Sequence, residues 1–311
     1  MMNDIAFVFP GQGSQYSGMG QLLAAEFPEA ARTFEEADDT LGFSLSQLCF
    51  AGAEEDLKQT ENMQPALLAV SVAAYRVLAG RCPPPSRLAG HSLGEYSALV
   101  AAGSLHFPDA LRLVRLRGCY MQQAVPPGVG AMSALIKLPA GQLDHVLAEA
   151  AQGEIVQAAN FNSPEQVVIA GHTAAVARAE ALARAAGAKR AIRLPVSAPF
   201  HCSLMRPAQA QLQPHLDAAP FQNLNVPVVN NWQARPVSTA SAARLGLFEQ
   251  IPNPVQWTET ILEMAHSGCR RFVEVGAGSV LLGLLRKIDA SLQSTGFGEP
   301  ADMTKLEALL A

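Results

Sequence analysis

Leu88-Ala89-Gly90-His91-Ser92-Leu93-Gly94-Glu95 decides how this chain folds: an apolar stretch runs into a GxSxG turn, and the turn into a helical pattern from Glu95 to Ala102. A serine lifted between strand and helix in this way sits on a nucleophile elbow, where the flanking glycines permit a tight turn. Ser92 is therefore the candidate nucleophile. The same geometry leaves the backbone N–H of Leu93 at a helix start, free to bind an oxyanion. A second donor is needed. Gln12, in the glycine-rich loop after the first apolar run, carries an amide that a neighbouring strand end can bring to the same place.

Outward from the elbow, the strand-turn-helix unit recurs. Ile5 to Phe9 is a continuous apolar run closed by Pro10-Gly11, and Phe272 to Val275 runs into Gly276-Ala277-Gly278. Such runs predict strands covered on both faces, and repeated units of this kind predict an α/β core with a parallel sheet. Active sites in those sheets gather at the turns that follow the strands.

Between Ala131 and Leu194 the order of elements changes. Ala131 to Ile136 predicts a strand, Ala140 to Ala151 a helix, and Ile155 to Ala159 and Gln166 to Ala170 two strands joined through the turn-rich Asn162-Ser163-Pro164. Ala174 to Ala186 predicts an alanine-rich helix stopped at Gly187, and Arg190 to Leu194 a last strand. The order βαββαβ is the split ferredoxin-like arrangement. Pro126-Pro127-Gly128 and the segment Pro195 to Pro199 bound it, which predicts a large core of residues 1–127 and 196–311 around a small subdomain of residues 128–195.

Composition excludes several classes of function. The 311 residues are 49% hydrophobic and 16% charged, which is the balance of a compact globule rather than of a disordered chain. A formal charge of -5 gives no overall footprint for nucleic acid or anionic lipid. The five cysteines, Cys49, Cys82, Cys119, Cys202 and Cys269, are scattered and form no CxxC pair, so a reducing cytoplasm is expected and neither a disulfide framework nor a zinc ribbon is. The start, Met1-Met2-Asn3-Asp4, lacks the basic residues of a signal peptide. Ala66 to Leu78 is apolar but shorter than the roughly 20 residues of a membrane helix, and reads as a buried helix.

Two further residues carry chemistry. A serine nucleophile needs a base, and seven histidines compete. His201 stands out by its place in the Pro-rich loop where the small subdomain returns to the core, although the residues alone leave the others open. Arg117 lies at helical spacing from Leu113 and Met121, inside an apolar stripe, where a guanidinium must find an anion or reach water. A salt bridge to an Asp or Glu is one answer, and a substrate carboxylate held by the planar fork is another. A nucleotide loop at Gly11-Gln12-Gly13-Ser14-Gln15-Tyr16 is disfavoured, because Tyr16 fills the third glycine position of GxGxxG.

Gly11-Gln12-Gly13-Ser14-Gln15, Gly90 to Glu95, Arg117-Gly118, Asn160 to Pro164, Phe200-His201 and Gln250 to Trp257 follow one another in an order that resembles the bacterial malonyl-CoA:acyl carrier protein transacylases from end to end. The resemblance implies an α/β fold with a hydrolase-like parallel-sheet core and an inserted ferredoxin-like subdomain. It implies ping-pong acyl transfer through Ser92 with His201 as base, Gln250 holding the imidazole by an amide or backbone oxygen, and Gln12 with Leu93 as oxyanion hole. Arg117 then reads the malonyl carboxylate, Asn160 and Asn162 on a turn contact CoA, and Phe200 accompanies malonyl rather than branched groups. The expected partners are malonyl-CoA and acyl carrier protein, with no nucleic acid and no membrane. No metal or redox cofactor is expected, and a monomer is the expected state. Lys189, Arg190 and Arg193 form the basic cluster best placed for an acidic carrier. A serine thioesterase is the rival reading, as is an acyltransferase of a polyketide or malonate-decarboxylating system.

Overall fold

The computed structural model describes residues 4–196 and 198–311, so Ser197 of the predicted Pro195 to Pro199 boundary lies outside the described residues. Its strands are β1 (Ile5–Phe9), β2 (Arg87–Gly90), β3 (Gly130–Ile136), β4 (Val156–Ser163), β5 (Gln166–His172), β6 (Arg190–Arg193), β7 (Val228–Val229), β8 (Pro236–Val237), β9 (Arg271–Val275) and β10 (Gln293–Phe297). One sheet has six strands in the order β10-β9-β1-β2-β7-β8, and all its pairs are parallel except β7 with β8. Every residue of β1 is buried, which is why its sequence is a continuous apolar run rather than an alternating one. Strands β1, β2 and β7 are neighbours, so the loops at their carboxyl ends open onto one place.

The second sheet is antiparallel, in the order β4-β5-β3-β6. With the helices Leu143–Ala151 and Thr173–Ala185 it gives the predicted βαββαβ chain order, and Leu135, Val146, Ile169 and Val176 belong to a hydrophobic cluster of its own. The first of these helices begins three residues later than predicted, after Gly141 takes a left-handed turn at φ 78°.

The link between β4 and β5 is a correction. The predicted strand end at Ala159 and turn at Asn162-Ser163-Pro164 give way to a strand that runs through Asn160 and Asn162 to Ser163, which leaves the turn at Pro164 and Glu165. Two register shifts let β4 continue, and its outer edge is satisfied by the core: Phe161 N–H donates to the Val255 carbonyl, and Val255 N–H to that of Ala159, each at 2.9 Å. Polar side chains that read as turn formers therefore stand on a strand whose outer edge bridges to Val255.

Helix Thr60–Leu78 includes the predicted buried segment and packs against helix Phe107–Gln123. At the crossing, a Cβ on Gly118 would stand 2.7 Å from the Thr60 carbonyl, so only glycine permits the approach. That approach sets Arg117 beside the buried Gln64. Among the described residues no helix is long and apolar enough to cross a membrane.

Candidate active site

Ser92 leaves β2 with φ 52°, a left-handed conformation that costs a non-glycine residue about 1–3 kcal/mol unless its surroundings hold it. The turn is so tight that a Cβ on Gly90 would fall 1.9 Å from the Gly94 carbonyl. Both backbone groups of Ser92 are held by side chains. Its N–H donates to Asn231 Oδ1 at 2.7 Å, and its carbonyl accepts from Gln250 Nε2 at 3.0 Å.

His201, the second left-handed residue of the site at φ 58°, brings Nε2 to 2.7 Å from Ser92 Oγ. Its Nδ1–H donates to the backbone carbonyl of Gln250 at 2.9 Å, which leaves Nε2 bare to take the serine proton. The orienter is thus a neutral backbone oxygen, where hydrolases place a carboxylate. Burial first, and then the Arg117 guanidinium, push the imidazole down to about 3, against the pull of the Gln250 carbonyl. His201 is expected to stay neutral through the physiological range. Ring signals followed by NMR from about pH 5 to 8 should show no titration in the unaltered protein, and Arg117→Gln should move the midpoint upward by removing the second cause. A midpoint at the ordinary value of 6.5 in the unaltered protein would contradict this account.

Arg117 is 2% exposed and makes no salt bridge among the described residues. Its Nη1 donates to Gln64 Oε1 at 2.7 Å, and its Nη2 to Gln250 Oε1 at 2.9 Å and Ser92 Oγ at 3.1 Å. Nε has no partner among the described residues. Burying a charge costs several kcal/mol unless an anion arrives, and here the partners are neutral oxygens. The internal salt bridge, one of the two alternatives, is absent among the described residues, and a guanidinium stands at the nucleophile with donor capacity left.

The cavity over Ser92 measures about 110 Å³ and is lined by Gln12, Gln64, Arg117, Asn160, Phe200 and His201 among others. Leu93 caps the helix Gly94–Ala101, and its N–H has no partner among the described residues, while Gln12 lines the cavity. Asn162 differs from Asn160: its Oδ1 accepts from His91 Nε2 at 2.9 Å, and the His91 ring is edge-on to Trp257. His91 is thereby occupied and is no rival base.

A model of the acyl transferase domain matches residues 6–300. The chain belongs to the acyl transferase family. The malonyl CoA-acyl carrier protein transacylase of Escherichia coli strain K12 is 49% identical to this acyltransferase over 305 residues, covering 97% of this chain and 98% of that protein. That of Bacillus subtilis strain 168 is 45% identical, covering 96% and 95%. Among solved structures, an acyl carrier protein S-malonyltransferase from Vibrio cholerae superposes with a TM-score of 0.95 at 46% identity, over 97% of this chain and 99% of that one. A malonyl-transacylase in complex with a type II PKS acyl-carrier protein gives 0.96 at 48% identity, over 98% and 99%.

Three residues of the acyltransferase site escaped the sequence reading. Gln64 is a polar side chain within an apolar helix, just before Pro65, and that mismatch was its signal. Asn231 follows β7 at the end of the sheet where sites gather. Glu95 reads as an acidic residue in the first turn of a helix, a surface pattern. In the fold it is 1% exposed, and burial raises its carboxyl to about 7 against the hydrogen bonds of Gln250 and Asn231 and the charge of Arg117.

Proposed function

We propose that this acyltransferase carries a malonyl group on Ser92, from malonyl-CoA to the phosphopantetheine thiol of an acyl carrier protein. The observation that carries the reading is Arg117, a buried guanidinium 3.1 Å from Ser92 Oγ whose partners are neutral oxygens. The free carboxylate of malonyl is the anion it lacks, while acetyl would leave it unpaired.

His201 Nε2 accepts the Ser92 proton as Oγ attacks the thioester carbon, and Leu93 N–H and Gln12 hold the oxyanion. Collapse breaks the C–S bond, and the CoA thiolate leaves with the proton from His201. The carrier thiol then gives its proton to His201 and attacks the serine ester, restoring Ser92. Atoms and charges balance without a metal or a redox cofactor. Asn160, on the cavity wall, is placed to meet the CoA arm, with Asn162 behind it through His91. Phe200 bounds the acyl end and favours an unbranched group. The neutral orienter and Arg117 both count against a thioesterase. Fatty acid biosynthesis is the destination we infer, with a polyketide system the alternative, given that one solved relative is bound to a type II PKS acyl-carrier protein. Five free cysteines support a reducing, cytoplasmic setting.

The carrier docks, in this reading, on edge strand β6. Lys189 and Arg190 are exposed there, whereas Arg193 is engaged with Glu180 at 2.7 Å and drops out of the predicted cluster. Leu194 and Val196, which continue β6, line the cavity, so a carrier at this edge has its arm beside Ser92. Malonyl-CoA consumption should depend on added carrier protein, and consumption at the same rate without it would favour the thioesterase. Reversing both charges, Lys189→Glu with Arg190→Glu, should raise the KM for carrier about tenfold and leave malonyl-enzyme formation untouched. An unchanged KM would remove this docking surface.

A further inference from the structure

We propose that Glu95 is a positioning residue of this site, its buried carboxyl fixing the left-handed backbone of Ser92 and the direction in which Gln250 faces Arg117. The inference deepens the reading of Ser92 as acyl carrier and rests on it. Glu95 Oε2 accepts from Gln250 Nε2 at 2.8 Å and from the Asn231 backbone N–H at 3.0 Å. Each of those residues in turn holds one side of Ser92.

The donors and acceptors leave one arrangement. Arg117 can only donate, so Gln250 must turn Oε1 toward it, and Nε2 then faces three acceptors, Glu95 Oε2, the Ser92 carbonyl and, at 3.4 Å, Asn231 Oδ1. On the other side, the Ser92 N–H can only donate, so Asn231 turns Oδ1 to it and sends Nδ2 to the Gly90 carbonyl at 2.7 Å. Glu95 closes both branches at one oxygen. Through the Gln250 amide, its carboxyl is also linked to the buried arginine. Without it, Gln250 and the Asn231 backbone each lose an acceptor in a buried place, and the two side chains that hold Ser92 against its strained backbone angles lose their shared anchor. Oγ would then leave the 2.7 Å contact with His201.

Two variants of similar size separate the hydrogen bonds from the packing. Glu95→Gln keeps an oxygen able to accept both bonds and should lose less than about fivefold in kcat, whereas Glu95→Met keeps the volume without an acceptor and should lose about thirtyfold, with KM for malonyl-CoA little changed. Labelling of Ser92 by a fluorophosphonate, a neutral probe that needs a poised serine but no malonyl group, should fall in step with kcat. Equal labelling and equal kcat in Glu95→Gln and Glu95→Met would overturn the proposal. Should Glu95→Met fail to fold, Glu95→Asp replaces it: a carboxyl one methylene short cannot reach both donors, about a tenfold loss of labelling is expected, and none would overturn the proposal equally. A labelling loss in a protein that shows no malonyl transfer even when unaltered would support Glu95 as positioner and count against the proposed function alone.

Discussion

His201→Ala is expected to slow formation of the acyl-enzyme by at least about ten-thousandfold, because a serine hydroxyl without its base is a poor nucleophile. Nothing else described at the site can take the proton. His91, the neighbouring imidazole, has Nε2 bound to Asn162 and its ring against Trp257. Arg117 approaches Oγ only as a donor. Rapid-quench measurement of the first turnover with malonyl-CoA isolates this step, and a loss under about tenfold would mean that the proton leaves by another route.

Arg117→Ala should divide the substrates. Malonyl transfer is expected to fall about a thousandfold, because a site built to pair with a group discriminates strongly for it, while acetyl transfer should change less than about tenfold. Acetyl is spared for a second reason: removing the guanidinium relieves one of the causes that depress His201. Parallel kcat/KM measurements with malonyl-CoA and acetyl-CoA check this, and equal losses would make Arg117 a structural residue. Gln250→Glu is expected to act in the same direction. Its side chain faces Arg117, and the imidazole is held by the Gln250 main chain, so a glutamate there would give Arg117 a carboxylate of its own and raise the KM for malonyl-CoA.

These expectations show which parts of the site were readable in the sequence. The elbow was, since GxSxG between a strand and a helix is a local pattern whose geometry follows from a few backbone angles. The βαββαβ order was readable too, because each element carries its own period and its own stops. The roles of Arg117 and Gln250 were only half readable. A buried arginine in an apolar stripe implied an anion without saying which, and the absence of an internal one is a fact about four distant segments meeting. Gln250 holds His201 by its carbonyl, a group every residue has, and so leaves no trace in residue type. Its side chain has a separate task, joining Arg117 to Glu95. Asn160 and Asn162 misled, because asparagine favours turns and only pairing with β5 on one side and Val255 on the other explains why the strand continues through them. Glu95, Asn231 and Gln64 act through contacts between remote parts of the chain, which no local pattern records.

Whether Ser92 carries the malonyl group between two thiols is read most directly by intact-mass spectrometry after mixing the protein with malonyl-CoA. One malonyl adduct per chain is expected, absent in Ser92→Ala, discharged by added carrier protein, and formed far less readily as acetyl from acetyl-CoA. An adduct that persists in Ser92→Ala, or no adduct at all while transfer to the carrier proceeds, would contradict that role for Ser92.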